Sequence, residues 1–171
     1  ILFLKIGRAL RTQALAGTLR RSGAGQTAHE GQCLSLLGST KDRSEHEFVV
    51  EAIREALAPL CSNVTVAEAP EVIALRNILH INTPFEAKVR PATHVADLLE
   101  ALHPTPAVGG VPGSAAREWI VQHEPDARGW YTGPVGWFDC QGNAEFAVAI
   151  RCGVVAGANA VLYTGAGVVL D

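Results

Sequence analysis

The chain has 171 residues, of which 48% are hydrophobic and 18% are charged. This length suits one ordinary domain or part of a larger one, and the apolar content is ample for a packed core. The formal net charge of −3 gives no reason to expect nucleic acid or an anionic membrane as a partner. No apolar run approaches the roughly 20 residues that cross a bilayer, so we expect no membrane-spanning segment and no signal peptide.

Four cysteines, Cys33, Cys61, Cys140 and Cys152, are spread along the chain without a CxxC pair. Their spacing matches no zinc template, and the six histidines form no HxH or HxxxH pair. We therefore expect free thiols and a cytoplasmic location, without a disulfide framework or a zinc site. The sequence leaves the oligomeric state open.

The chain opens with two segments typical of short strands, residues 2–6 and 9–15, joined at Gly7. Residues 22–32, SGAGQTAHEGQ, are small and polar and predict a mobile loop.

A helix is predicted over residues 41–57, with Thr40 as its cap and Pro59 beyond its end. Its apolar residues recur at helical spacing. They are Val49, Val50, Ile53, Ala56 and Leu57.

The middle of the chain alternates between strand and helix signals. Residues 64–66 and 72–82 are rich in strand formers. Thr93 is placed to cap a short helix that ends near Leu102, and Pro112 suits the first turn of another helix. The apolar face of that last helix would comprise Ala115, Ala116, Trp119 and Ile120.

Three strand candidates follow, at residues 133–139, 144–155 and 160–164. The short connections between them predict an antiparallel meander. Because hairpins and helices are mixed along the chain, the sequence indicates an α+β fold.

Five ordered blocks cover nearly the whole chain and resemble chorismate-utilising enzymes, and among these the isochorismate synthases. The blocks are LAGTLRR at 15–21, STKDRSEH at 39–46, HINTPFEAKV at 80–89, HPTPAVGGVP at 103–112 and the run from EPDARGWYTG to AVAIR at 124–151. HPTPAVGGVP is the block that best indicates the isochorismate branch. The resemblance implies a core sandwich of antiparallel sheets with helices outside. Residues 1–171 would then be a partial chorismate-binding catalytic domain, truncated at both ends.

Glu45 and Arg151 are the charged residues of greatest interest. From spacing alone, Glu45 also suits an ordinary helix start that pairs with Lys41 or Arg43, and Arg151 also suits a structural ion pair. The resemblance implies that Glu45 binds Mg²⁺, for which carboxylate oxygens are suitable ligands. It implies that Arg151 binds a carboxylate of chorismate, a task that suits the guanidinium fork.

Glycine-rich turns provide further substrate-binding candidates. LAGT contains Gly17 and Thr18, and TGAG contains Gly165. Glycine lets backbone N–H groups approach an anion closely, although neither turn matches a nucleotide-binding fingerprint. The resemblance implies that these turns line the chorismate and Mg²⁺ site.

The resemblance also implies substrate contacts for residues of four different types. Ala107 and Val108 lie in the HPTPAVGGVP block, Tyr131 lies in RGWYTG, and His80 precedes a predicted turn at residues 83–84. Taken singly, Tyr131 and His80 would more often be structural residues.

The activity implied is the Mg²⁺-dependent isomerisation of chorismate to isochorismate, by water addition at C2 and loss of the C4 hydroxyl. In the family, the general-base lysine and the general-acid glutamate would lie outside this chain, so we expect the isolated fragment to be inactive. The alternatives are a salicylate, anthranilate or aminodeoxychorismate synthase, or a non-catalytic chorismate-binding remnant. The sequence leaves open whether the product enters menaquinone, siderophore or salicylate biosynthesis.

Overall fold

A computed structural model describes residues 1–22 and 26–167 of the chain. The strands are β1 (Phe3–Ile6), β2 (Ala9–Arg20), β3 (Cys61–Val66), β4 (Glu71–Ala74), β5 (Ile78–Val89), β6 (Pro134–Phe138), β7 (Ala144–Val148), β8 (Gly153–Ala156) and β9 (Asn159–Leu162). The helices are α1 (Gln26–Gly38), α2 (Thr40–Leu57), α3 (Val95–Leu102), α4 (Pro106–Gly109) and α5 (Gly113–His123). Seven strands form one antiparallel sheet in the order β3-β5-β2-β1-β7-β6, with β4 beside β5, and β8 pairs with β9 alone. The α+β class is confirmed.

Helix α2 packs against the centre of the large sheet. Val49, Ile53 and Leu57 lie on one helical face and are all buried. They share one core cluster with Leu10 and Phe85 of the two central strands. Each such side chain contributes roughly 1.5–3 kcal/mol when it is fully buried. Helix α2 is therefore held to the sheet mainly by this apolar contact, as its helical periodicity predicts.

The central pair of strands, β2 and β5, runs in register from Ala9 opposite Lys88 to Arg20 opposite Ile78. The predicted strand over residues 72–82 is in fact two strands, β4 and β5, which fold back on each other at residues 75–77. The turn predicted at residues 83–84 is wrong, because β5 continues through both. Pro84 lies past the end of β3, so its missing N–H interrupts no pairing with that strand. Its carbonyl accepts a hydrogen bond from Ala67 N–H at 3.1 Å.

The mobile loop predicted over residues 22–32 is wrong for residues 26–32, which form the first part of α1. Residues 23–25 lie outside the described part of the chain. The cause is packing further along the helix, where Leu36 is buried against Leu79 and Ile81 of β5. The polar segment is therefore helical because the apolar segment that follows it is anchored on the sheet.

Two predicted helix caps are displaced by one residue. Ser39, not Thr40, caps α2, and its hydroxyl accepts a hydrogen bond from Asp42 N–H at 3.2 Å. His94, not Thr93, caps α3, in a capping box completed by the Asp97 carboxylate. Both helices still begin within one turn of the predicted position. In each, the neighbouring residue caps the backbone N–H groups of the first turn, which have no partner inside the helix.

Helix α5 lies where Pro112 predicted it, directly after that proline. Its predicted apolar face is not buried, however, and Trp119 is 59% exposed. Helix α5 is therefore attached to the body of the chain less firmly than α2.

The predicted three-stranded meander is instead two separate hairpins. Strand β7 ends at Val148, and the chain bends through residues 149–152 before β8 begins. Arg151 has a φ of 52° in this bend, which an extended strand cannot contain. Strands β6 and β7 therefore extend the large sheet, whereas β8 and β9 form a sheet of their own.

None of the helices in the described part of the chain has the length and apolarity needed to span a bilayer. The four cysteines are free thiols.

Candidate functional site

A bulge in β2 is the first element of the site. The register of β2 against β5 shifts between Ala16 and Thr18, and Gly17 has a φ of 77°. A side chain at Gly17 would have its Cβ only 3.0 Å from Ile81 and 3.1 Å from Asp42. Glycine is required here by both the backbone conformation and the lack of space. The bulge thus presents backbone closely to the start of α2.

Thr18 and His80 form a cross-strand pair beside the bulge. They are register partners, and Thr18 Oγ1 lies 2.8 Å from His80 Nδ1. Burial lowers the pKa of His80, the backbone of Gly17 opposes this shift, and the charge of Arg151 lowers the pKa further. The lowered pKa favours the neutral imidazole, and the ring is positioned by two residues of the LAGT block.

The start of α2 brings two carboxylates to the same place. Asp42 lies against Gly17, and Glu45 lies three residues later, so their side chains are neighbours on the helix surface. Glu45 is half-buried and makes no hydrogen bond or ion pair with another described residue. Arg43 pairs instead with Glu47, at 3.9 Å. The predicted alternative, a structural pairing of Glu45 with Arg43, is therefore not observed.

His46 joins α2 to the sheet beneath these carboxylates. It is 3% exposed, and its Nε2 lies 2.7 Å from Thr83 Oγ1 of β5. Burial lowers its pKa, against the smaller opposing effects of the Ala16 backbone and the Glu47 charge. Its Nδ1 is buried without a well-formed hydrogen bond. The contact fixes the start of α2 relative to both central strands.

Arg151 lies in the bend after β7, at an exposed position with a left-handed backbone. It forms no ion pair with any residue in the described part of the chain, so the predicted structural alternative is not observed. Burial is the main reason that the pKa of His80 is lowered, and the charge of Arg151 adds a smaller effect in the same direction. An exposed guanidinium with no ion-pair partner among the described residues can offer its donors to an anion.

Tyr131 lies next to the segment that leads into the Arg151 bend, because Thr132 N–H donates to the Ala149 carbonyl at 2.7 Å. Its ring stacks on Tyr163, with the centroids 5.4 Å apart and the planes at 9°. A Cβ at Gly165 would overlap the Tyr131 hydroxyl, so the glycine allows this close approach. The structure thus brings Tyr131 and Gly165 into contact.

Val108 is connected to Tyr131 through Arg128. The Val108 carbonyl accepts a hydrogen bond from Arg128 Nη1 at 2.8 Å, and the Arg128 guanidinium lies 5.7 Å from the centre of the Tyr131 ring. Ala107 is exposed on α4, next to Val108. A groove of about 760 Å³ opens on the other side of Arg128, between His103 and α5. Among the predicted substrate residues, only Val108 lines this groove.

The predicted site residues therefore form two groups. Gly17, Thr18 and His80 lie together around the bulge. Glu45 lies one helical turn after Asp42, which contacts Gly17. Around the aromatic stack the structure unites Val108, Tyr131 and Gly165, with Ala107 at the edge. Arg151 is related to both groups. Its charge acts on His80 in the first group, and Ala149, two residues before it, accepts a hydrogen bond from Thr132, the residue after Tyr131 in the second group.

The described residues hold no cluster of three His, Cys, Asp or Glu side chains that could bind a metal ion unaided. Mg²⁺ usually takes only one or two protein carboxylates and retains waters. The Glu45 carboxylate, which pairs with no other residue that the structure describes and has Asp42 beside it, fits that requirement when a substrate oxygen and waters supply the remaining ligands.

Several residues of the site were not predicted from the sequence. Asp42 could have been found, because it lies three residues before Glu45 at the start of a predicted helix. His46, Arg128 and Tyr163 could not, because their partners are distant in sequence or lie in irregular segments.

All 171 residues match the protein family described as chorismate binding enzyme. The salicylate biosynthesis isochorismate synthase of Pseudomonas aeruginosa is 47% identical over 169 residues, which cover 98% of this chain and 35% of that protein. The isochorismate synthase MenF of Bacillus subtilis is 39% identical over 165 residues, which cover 96% of this chain and 35% of that protein.

Among solved structures, the menaquinone-specific isochorismate synthase MenF of Escherichia coli has a similar fold. The TM-score is 0.81 at 32% identity, over 89% of this chain and 35% of that one. The chain thus spans about a third of the length of these relatives. The family indicated by the five sequence blocks is confirmed, and the chain belongs to the chorismate binding enzyme family.

Proposed function

We propose that the protein to which this chain belongs is an isochorismate synthase that isomerises chorismate to isochorismate with Mg²⁺ as cofactor. The observation that carries the proposal is the arrangement of opposite charges around one bulge. Glu45, whose carboxylate pairs with no other described residue, lies one helical turn after Asp42, which contacts Gly17. Arg151, which forms no ion pair within the described part of the chain, lies close enough for its charge to act on His80. Chorismate carries two carboxylates, so one can meet the arginine while another meets a metal ion.

Each residue has a role that follows from its chemistry. Arg151 offers a bidentate fork to one substrate carboxylate. The backbone at Gly17 and Thr18 would offer N–H groups to an anion, and a side chain at Gly17 would crowd Ile81 and Asp42 there. Tyr131 supplies a flat wall for the substrate ring, stacked from behind by Tyr163. Ala107 and Val108 border that wall, and Gly165 leaves room for it.

Glu45 would hold Mg²⁺, with Asp42 near enough to assist. When bound, the ion would neutralise and orient a substrate carboxylate. Burial lowers the pKa of His80, which favours its neutral form. A neutral ring would not compete with Arg151 for the anion.

The reaction adds water at C2 of chorismate, shifts the ring double bonds and expels the C4 hydroxyl. One group must take a proton from the water and another must give a proton to the leaving oxygen. We propose that both groups lie outside these 171 residues, which would form part of a larger catalytic domain. The part of the reaction assigned to this chain is binding, orientation and charge neutralisation.

The test is a product assay with the full-length protein, chorismate and MgCl₂, read by chromatography. Isochorismate as the product, lost on addition of EDTA, supports the proposal. Salicylate with pyruvate, or anthranilate when ammonia is supplied, identifies one of the other chorismate-utilising activities and contradicts it. The 171-residue chain alone is expected to give no product, since loss of a general acid or base typically costs about 10² to 10⁴ in rate.

A further inference from the structure

We propose that Arg128 is a positioning residue, which holds the Val108 segment and the Tyr131 wall in one fixed arrangement for the substrate. This inference rests on the proposed function for its kinetic consequence, although its structural consequence does not depend on the reaction. Arg128 is not one of the residues that the family resemblance marks for substrate contact.

The guanidinium of Arg128 uses four of its five N–H donors within the protein. Its Nε and Nη2 donate to the two carboxylate oxygens of Glu124, at 2.8 and 2.6 Å. Its Nη1 donates to the Val108 carbonyl at 2.8 Å and approaches Thr132 Oγ1 at 3.4 Å. The side chain is only 26% exposed. An arginine engaged in this way has no free fork for a substrate carboxylate, in contrast to Arg151.

Arg128 joins two short segments that lie more than twenty residues apart in the sequence. Val108 belongs to α4, a single turn of helix, and Tyr131 belongs to a turn before β6. The guanidinium contacts the Val108 backbone on one side and lies 5.7 Å from the Tyr131 ring centre on another. A guanidinium at this distance is attracted to the face of an aromatic ring. The position of the ring relative to α4 therefore depends on this side chain.

The turn that Arg128 supports is strained. Thr132 has a φ of 64°, which is a rare conformation for a β-branched residue. This conformation persists because every polar group of Thr132 is hydrogen-bonded. The N–H donates to the Ala149 carbonyl, and the carbonyl lies 2.6 Å from His103 Nε2. The hydroxyl donates to the Tyr131 carbonyl and accepts from Arg128. Strain of this kind requires surroundings that over-determine the backbone. Removal of Arg128 takes away one of those restraints.

A simple surface ion pair would not have these properties. The Arg128–Glu124 pair is four residues apart but lies past the end of α5, so no helix holds it in place. The hydrogen bond from Arg128 lowers the pKa of Glu124, as expected of a firm contact. The pair between Arg54 and Glu51 in α2, at 3.4 Å, is a matched comparison, because both of its side chains are half-exposed or more and touch no predicted site residue.

The experiment compares Arg128→Gln, Arg128→Lys and Glu124→Gln with the control Arg54→Gln, all in the full-length protein. We expect Arg128→Gln to raise KM for chorismate by about 10-fold or more while kcat changes much less, as for lost substrate positioning in binding. Arg128→Lys should recover only part of this loss, because it cannot reproduce the fork. Glu124→Gln should raise KM less than Arg128→Gln, and Arg54→Gln should leave KM unchanged.

The aromatic near-UV circular dichroism supplies a second readout that does not require turnover. The signal of the stacked pair, assigned with Tyr163→Leu, should be reduced by Arg128→Gln and unaffected by Arg54→Gln. If wild-type protein does not convert chorismate, the proposed function fails, and this spectrum still tests the inference. An unchanged KM and an unchanged spectrum in folded Arg128→Gln would overturn it. Should that variant not fold, Glu124→Gln decides by the same two readouts.

Discussion

The two groups of site residues are built in different ways. Around the Gly17 bulge, geometry is set by eleven paired positions between β2 and β5 and by the apolar contact of α2 with the sheet. Around Tyr131, geometry is set by side chains: one guanidinium, two stacked rings and a turn with a left-handed threonine. Backbone pairing tolerates the loss of a single polar contact, whereas a side-chain network does not. The first group should therefore respond to changes of shape, and the second to changes of charge and hydrogen bonding.

The charges divide in the same way. Asp42 and Glu45 place negative charge beside the bulge, and Arg151 places positive charge between the two groups. A dianionic substrate with a divalent cation matches this separation. The predictions below use the difference between the groups, starting with the change that should have the largest effect.

Glu45→Gln removes the charge proposed to hold Mg²⁺ while it keeps the size of the side chain. In the full-length protein we expect turnover to fall by a factor on the order of 100 or more, as for loss of a charge-bearing electrostatic group. A titration of rate against Mg²⁺ concentration measures the effect. The control is Glu51→Gln on the same helix, and wild-type Mg²⁺ dependence in Glu45→Gln would refute the assignment.

Arg151→Lys tests the residue that connects the two groups. We expect kcat/KM for chorismate to fall by the equivalent of roughly 2 to 4 kcal/mol, because an ammonium cannot replace a bidentate fork once the substrate covers it. Thermal stability should change little, since Arg151 is exposed and forms no ion pair with a described residue. Arg54→Lys is the matched control. Normal chorismate kinetics with a lowered Tm would identify Arg151 as a structural residue instead.

Gly17→Ala tests whether the bulge depends on shape. A left-handed alanine costs about 1–2 kcal/mol, and the contacts at 3.0 and 3.1 Å from its Cβ should add about 1 kcal/mol or more through overpacking. Gly7→Ala is the control, because Gly7 also has a positive φ of 56° but nothing within 4 Å of the added Cβ. Denaturant unfolding of both variants measures the difference. Equal losses would show that the bulge has room for a side chain.

The smallest predicted effect concerns pH. Burial lowers the pKa of both His46 and His80 in the folded chain, so the unfolded chain takes up protons first. The contribution of these residues to stability is present above the unfolded pKa of about 6.5 and is lost as pH falls through the folded pKa. His46→Gln, which can still bond Thr83, should reduce the loss of unfolding free energy between pH 7.5 and 5.5. An identical pH slope in wild type and variant would contradict this.

The periodic and locally encoded parts of the fold could be predicted from the sequence. Helix α2, the hairpin at Gly7 and the short helix that ends at Leu102 follow from apolar spacing and turn residues. Helix α1 was mistaken for a loop because its polar first half carries no periodic signal. Its packing against Leu79 and Ile81 comes from a strand more than forty residues away, which local patterns cannot reveal.

The candidate site also contains features that the sequence predicts and features that depend on distant contacts. Sequence blocks identified residues of both groups, but the way in which they meet depends on the long β2–β5 register and on the bend at Arg151. The sequence predicts a continuous strand over residues 144–155 because the run is largely apolar. The left-handed Arg151 interrupts it, and no local signal of glycine or proline marks that position. The roles of the individual site residues stay predictions.

The most direct measurement is a crystal structure of the full-length protein with chorismate and Mg²⁺ bound. We expect one chorismate carboxylate on the Arg151 guanidinium, the other near Mg²⁺ and the Glu45 carboxylate, and the ring beside Tyr131. Chorismate in the groove between His103 and α5, with Arg151 and Glu45 unoccupied, would contradict the account.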